Sequence, residues 1–240
     1  MFLSEWDWDG AERSFQRALD INPNHPEAFL HYGGLAEALG QLDRGLQLKQ
    51  QALERDPTSP LALFLIAVSF WNQRRYDDTI AWLDRVHERD PTHLQAHELR
   101  GGVYFKTGDL DGMLAADLAL AQALGASEER LATIKNVGRE IKAAREAGGQ
   151  PEMMRCILKH LADKNERGTA GVHLRTPDRT RAILYAEAGD LDAAFLHLDR
   201  AIDAREPGLV HLAVAPAWDP LRPDPRFRRC LGRMRLPTLS

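Results

Sequence analysis

Three prolines, Pro23, Pro57 and Pro91, stand 34 residues apart, and each follows Asn or Asp. Upstream of them run A-L-D-I-N-P (18–23), A-L-E-R-D-P (52–57) and V-H-E-R-D-P (86–91). Proline cannot continue a helix, so each phrase reads as a helix end. A second break lies inside the period, at A-L-G-Q-L-D (38–43) and N-Q-R-R-Y-D (72–77). It returns as K-T-G-D-L-D (106–111) and E-A-G-D-L-D (187–192). Helix, short turn, helix and proline at a fixed period describe units that bury their apolar faces only by stacking. A length of 240 residues alone would allow one or two compact domains. The period predicts a single elongated stack of about six helix pairs instead.

This pattern resembles the tetratricopeptide repeat. In that family the first helix of each pair carries bulky, bulky, small and aromatic-or-small residues at fixed spacing. Those positions here are Phe29, Tyr32, Gly33 and Ala36, then Leu63, Ile66, Ala67 and Phe70. A third copy has His97, Arg100, Gly101 and Tyr104 and keeps only the small residue and the aromatic. The second helix wants small, bulky, small and proline, which Ala11, Phe15, Ala18 and Pro23 supply. Later copies drift to Gly45, Lys49, Ala52 and Pro57, then Thr79, Leu83, Val86 and Pro91. The resemblance implies an all-α fold, a right-handed α-α superhelix of antiparallel helix pairs, and a protein or peptide as partner.

The segments follow from these landmarks. Residues 1–25 form an incomplete first repeat, 26–125 three motifs, 126–170 an atypical pair, 171–207 the last motif and 208–240 a cap. In the atypical pair, Ser127 opens a long helix that Gly148-Gly149 stops, with Leu131, Ile134, Val137 or Gly138, and Ile141 on its apolar stripe. Pro151 opens the next, burying Met154, Ile157, Leu158 and Leu161. Arg167–Arg175 reads as a loop. The proline-punctuated stretch Pro216–Pro225 is expected to form neither helix nor central strand. It would cross the end of the stack and press Trp218, Leu221 and Phe227 onto the last apolar face. Residues 206–234 also look like the closing segment of repeat regions attached to bacterial signalling and transcription regulators. That resemblance implies a bacterial, cytoplasmic signalling setting, here without an effector domain in front. At the other end, Phe2, Leu3, Trp6 and Trp8 precede a lone second helix. They read as a plug over the first repeat. The alternative is an apolar N-terminal edge that pairs two copies into a homodimer.

Charge and chemistry narrow the function. Lys+Arg is 31 and Asp+Glu 35, a net −4 that argues against a generally basic nucleic-acid binder. The balance is uneven: residues 1–125 hold 11 against 19 (−8), and the remainder hold 20 against 16 (+4). The last twenty residues carry six arginines and one aspartate. The longest mainly apolar stretch, Leu61–Trp71, is 11 residues, too short for a bilayer, and MFLSEWDWDG lacks the basic and apolar regions of a signal peptide. No Walker loop, G-x-S-x-G or H-E-x-x-H occurs. The glycines of Arg167–Gly171 lack the P-loop lysine. His93 and His97 share a helix face at i, i+4 but have no nearby third ligand in sequence. Cys156 and Cys230 read as small buried hydrophobes. The expectation is no enzyme, no metal and no cofactor.

The helix Leu61–Asn72 is apolar nearly all round, so it is either wholly buried or lines a ligand surface. In the family the first helices form the concave wall. The positions that would face it are Leu30, Gly34, Phe64, Val68, Trp71, Asn72, Glu98, Gly102, Phe105 and Lys106. They suggest a groove with an apolar middle, small floors and a charged rim, suited to a peptide or partner helix anchored by Phe64, Trp71 and Phe105. The competing reading is that the superhelix or the C-terminal segment curls in and covers them. The clamp by which some family members hold a chaperone's terminal carboxylate is absent, because Leu30, Gly34, Phe64, Leu65, Gln95 and Leu99 replace its polar residues. A different functional class stays open as well: a sensor that binds a small apolar ligand or signalling peptide and regulates an effector.

Overall fold

The computed structural model describes residues 5–166 and 177–238. Eleven α-helices occur among them. They are α1 (Trp8–Ile21), α2 (Pro26–Ala38), α3 (Leu42–Arg55), α4 (Pro60–Asn72), α5 (Tyr76–His87), α6 (Leu94–Thr107) and α7 (Leu110–Ala123). After them come α8 (Glu128–Glu166), α9 (Asp178–Glu187), α10 (Leu191–Asp203) and α11 (Pro225–Arg233). Two 3-10 helices, Pro207–His211 and Pro216–Leu221, separate α10 from α11. The fold is an all-α solenoid. The predicted loop Arg167–Arg175, with its Arg167–Gly171 glycines, lies outside the described residues, as do Phe2 and Leu3.

Local chemistry sets the helix ends. Ser59 accepts from the Ala62 N–H ahead of Pro60, and Asp109, Asp190 and Asp224 cap α7, α10 and α11 in the same way. His93 caps α6 through Nδ1. Each turn inside a pair is closed by a residue in the left-handed region: Gly40 (φ 83°), Arg74 (φ 60°), Gly108 (φ 79°) and Gly189 (φ 81°). The following N–H reaches back five residues, as in Gln41 to Ala36 and Arg75 to Phe70, which satisfies carbonyls the helix leaves open. Three of these turns fall at 40, 74 and 108, one repeat apart.

The small positions permit close helix contact. A Cβ on Gly33 would lie 2.7 Å from the Gly45 carbonyl oxygen and 2.8 Å from Lys49 Cγ, so α2 and α3 meet backbone to backbone. Phe29, Tyr32, Gly33 and Ala36 are all buried, and so are Leu63, Ile66, Ala67 and Phe70. The first helices also touch one another, α2 with α4 and α4 with α6. The stack therefore curves towards them, and they form its inner wall.

Helix α8 is broken at Gly148 (φ −146°) and Gly149 (φ 69°), followed by Pro151. Ile141 from one limb and Met153 and Met154 from the other share a core with Phe105 and Leu184. Met153, fully buried, is absent from the sequence-derived stripe. The stretch around Pro216 departs from expectation too, since Pro216–Leu221 winds into a 3-10 helix. Pro216 sits at its first turn, where a missing N–H costs nothing.

Trp218, Leu221 and Phe227 are buried, in a cluster wider than the last helix pair. It joins Ala182, Ala186, Ala194, Leu198 and Ile202 of α9 and α10 to Trp8, Ala11, Tyr32, Leu35 and Ala38 of the first helices. The chain thus closes on itself, with the C-terminal segment packed between its two ends.

Candidate functional site

The inner wall is built from equivalent positions one repeat apart. Positions 34, 68 and 102 hold Gly, Val and Gly, all half-buried. A Cβ added to Gly34 would meet nothing within 4 Å, and one on Gly102 only the Trp71 ring at 3.7 Å. On one side stand positions 30, 64 and 98. Leu30 is buried with Phe29, Ala52 and Ala62, while Phe64 is half-buried, its ring 5.0 Å from that of His93, and Glu98 is exposed. On the other side, Trp71 is 8% exposed and packs on Tyr76, and Phe105 packs against the core of α8. Asn72 is fully buried, and Lys106 pairs with Glu187 of α9 at 2.6 Å. The structure thus divides the ten residues. Leu30, Trp71 and Asn72 form the wall itself, Phe105 and Lys106 are engaged by α8 and α9, and Gly34, Phe64, Val68, Glu98 and Gly102 retain access.

Under this wall lies a charged network that the sequence pattern does not show. Glu37 of α2 and Lys49 of α3 have side chains with no exposure at all, 2.8 Å apart. The Lys49 ammonium also donates to the Leu65 carbonyl (3.1 Å) and the Ser69 hydroxyl (3.0 Å). Ser69 donates to Glu37 Oε1, and the Asn72 amide to Oε2 at 3.0 Å. Burial draws the Lys49 pKa below its ordinary value, and the Glu37 carboxylate opposes that drop. The network is satisfied around its charges and locks α2, α3 and α4 together. It offers no charge to a ligand.

The closing segment meets the wall at named points. His211 Nε2 lies 3.7 Å from Glu37 Oε2, and burial lowers the His211 pKa to about 4. Arg74, in the turn after α4, donates from Nη2 and Nε to the two oxygens of Asp219 at 2.6 and 3.2 Å. The Trp8 indole N–H donates to the Met234 carbonyl oxygen. None of Glu37, Lys49, His211, Arg74 or Asp219 stands out as a site in sequence. Only the proximity of distant segments identifies them.

Two cavities lie elsewhere. One of about 270 Å³ is lined by Gly108, Asp109, Leu110, Asp111, Lys142, Arg145 and Glu146. Another of about 210 Å³ sits beside α11, around Arg222, Asp224, Phe227 and Arg228. His97 directs Nε2 to the Pro91 carbonyl at 2.8 Å, and no group of His, Cys, Asp or Glu among the described residues has the arrangement to hold a metal ion. No helix among them is long and apolar enough to cross a membrane.

Comparison with known proteins agrees with this architecture. Two tetratricopeptide repeat models match, over residues 2–68 and 64–129, together more than half of the chain. The chain belongs to the tetratricopeptide repeat family. Proteins of this family present their repeats as a scaffold for protein or peptide contacts. Among solved structures, the crystal structure of MamA is similar at 17% identity, covering 86% of this chain and 94% of that one, with a TM-score of 0.44. So is YrrB, described as a TPR protein with an unusual peptide-binding site, at 17% identity, 82% and 95% coverage and a TM-score of 0.44. No curated protein matches at a significant level.

Proposed function

We propose that this tetratricopeptide repeat protein is a non-enzymatic scaffold that holds a peptide or partner helix along the inner wall, over Gly34, Val68 and Gly102. The observation that carries this reading is the small, open strip at those three equivalent positions, while their neighbours Trp71 and Asn72 are buried. Glycines leave room for a partner's main chain or side chains. Phe64 and Val68 of α4 supply apolar contact, and Glu98 sets a negative rim. Leu30, Trp71 and Asn72 act from beneath, by fixing the shape of the floor.

The test exploits the open space. Gly102→Leu and Val68→Glu should leave the thermal melt near that of the parent, because a Cβ at 102 meets only the Trp71 ring, at the ordinary contact distance of 3.7 Å, and Val68 is only half-buried. Each should weaken partner capture from the cell of origin by about tenfold or more. Trp71→Ala makes a useful contrast, since it should lower stability and binding together. Capture unchanged by both inner-wall variants would refute this site.

A further inference from the structure

The inner wall is apolar in the middle and acidic at both sides. Every residue of α4 that is not buried is apolar: Pro60, Leu61, Phe64, Leu65 and Val68. Leu61 is 42% exposed, and Leu65 and Val68 follow it at i+4 and i+7, so they share one face, with Phe64 beside them. Charge on the first helices is one-sided. The carboxylates of α2, α4 and α6 are Glu27, Glu37 and Glu98, and their only lysines and arginines are Arg100 and Lys106. Arg100 is held by Asp84 and Lys106 by Glu187, each at 2.6 Å, and Glu37 by the buried Lys49. Glu27 and Glu98 are exposed and have no ion pair or hydrogen bond among the described residues. Glu27 occupies the position of Leu61 one repeat earlier, and Glu98 that of Phe64 one repeat later. Arg89, in the turn before α6, stands between Glu88 and Asp90.

We propose, resting on the inner-wall site above, that its occupant is a basic amphipathic helix of a partner protein. Aliphatic side chains of that helix lie on Leu61, Leu65 and Val68, and its lysines or arginines reach Glu27 on one side and Glu98 on the other. Neighbouring first helices touch, α2 with α4 and α4 with α6, so two interaxial steps of about 8–10 Å separate the helices that carry the two carboxylates. A helix rises about 1.5 Å per residue, so cations about 11 residues apart match that span and share one face. Apolar residues between them, at i+4 and i+7, then meet α4. The unpaired carboxylates disfavour an acidic segment and nucleic acid alike. A second copy of this chain is a poorer occupant. Its basic helix α11 turns Phe227, Cys230 and Leu231 into its own core and has no free apolar face to offer.

The test uses the full chain and three labelled synthetic helices with leucines at i+4 and i+7. Lysine fills positions i and i+11 in the first, glutamine in the second and glutamate in the third. By fluorescence anisotropy the lysine helix should bind tightest, by about three- to tenfold over glutamine, and lose that margin as salt rises. The glutamate helix should bind weakest. The double variant Glu27→Gln/Glu98→Gln, changed only at exposed and unpaired side chains, should melt like the parent and bind all three helices alike. Gly102→Leu should weaken all three by a common factor. Equal binding of the lysine and glutamine helices to the parent, both weakened by Gly102→Leu, would overturn the basic partner and leave the inner-wall site standing. Full binding of the lysine helix to Gly102→Leu would instead remove the inner wall as the site. Failure of the lysine helix to bind the parent would overturn the proposal, as would self-association in sedimentation that the double variant abolishes.

Discussion

The indole N–H of Trp8 donates to the carbonyl oxygen of Met234 at 2.8 Å, across 226 residues of chain. Units of an ordinary solenoid contact only their neighbours, so its ends have the fewest contacts. Here the first and last helices share one buried cluster. Trp8→Phe keeps most of the apolar contact and leaves the Met234 carbonyl without its donor, which should cost about 1–3 kcal/mol. Urea unfolding followed by tryptophan fluorescence and by circular dichroism should give coincident transitions for the parent, and an earlier one for the variant. An unchanged midpoint would show that the bond contributes nothing.

Arg74 occupies a turn position that is glycine at Gly40 and Gly108, and it holds φ at +60°. A side chain there costs about 1–2 kcal/mol relative to glycine. Its half-exposed ion pair with Asp219 returns at most about 1 kcal/mol. Arg74→Gly should therefore melt at or slightly above the parent temperature. Arg74→Ala, which keeps the backbone cost and loses the ion pair, should melt below it. The reverse order would mean that the ion pair outweighs the backbone term.

What could be read from the chain divides along physical lines. Turns, caps and small-residue contacts are local, so Pro23, Pro57, Gly33 and Ala67 announce the helix pairs directly. Lys49 misleads, because it stands where the family places a bulky core residue and it looks like drift. Its aliphatic stem does fill that position, and its ammonium is satisfied by Glu37 and Ser69 from other helices. A helix apolar nearly all round, such as α4, cannot say which side a distant segment will cover. Trp71 and Val68 look alike in sequence, yet only the folded chain buries one and leaves the other accessible.

The Glu37–Lys49 pair is the sharpest stability test. Lys49→Met removes one charge and leaves the Glu37 carboxylate buried, which should cost about 3–5 kcal/mol. Adding Glu37→Gln should recover much of that loss, because the neutral amide can still accept from Asn72 through its oxygen and donate its N–H to the Ser69 hydroxyl. A double-mutant cycle from urea melts measures the coupling. Additive effects of the two changes would contradict a coupled pair.

Acid should destabilise the fold in a defined window. Burial holds the His211 pKa at about 4 against an ordinary 6.5, with Glu37 favouring and Lys49 opposing the proton. The unfolded chain therefore binds that proton more readily. Stability is fully present above about pH 6.5, falls as the pH drops towards 4 and levels off below, by up to ~3 kcal/mol from this group. His87 is also held at about 4, by burial and then by His97 and Arg100, and adds a slope of the same sign. His211→Gln should flatten part of the pH dependence of the urea midpoint. A slope identical to the parent's would exclude His211 as a source.

Adjacent glycines on α2 should respond in opposite directions. At Gly33 a new Cβ would sit 2.7 Å from the Gly45 oxygen, and backbone cannot yield cheaply, so Gly33→Ala should force α2 and α3 apart and cost about 1–3 kcal/mol. At Gly34 the same Cβ meets nothing within 4 Å. Gly34→Ala therefore keeps every contact and gains helix propensity, about 0.5–1 kcal/mol of added stability. Thermal melts of the two single variants measure both signs at once. Destabilisation by Gly34→Ala would show that the inner strip is already filled, and would remove the space that the proposed partner requires.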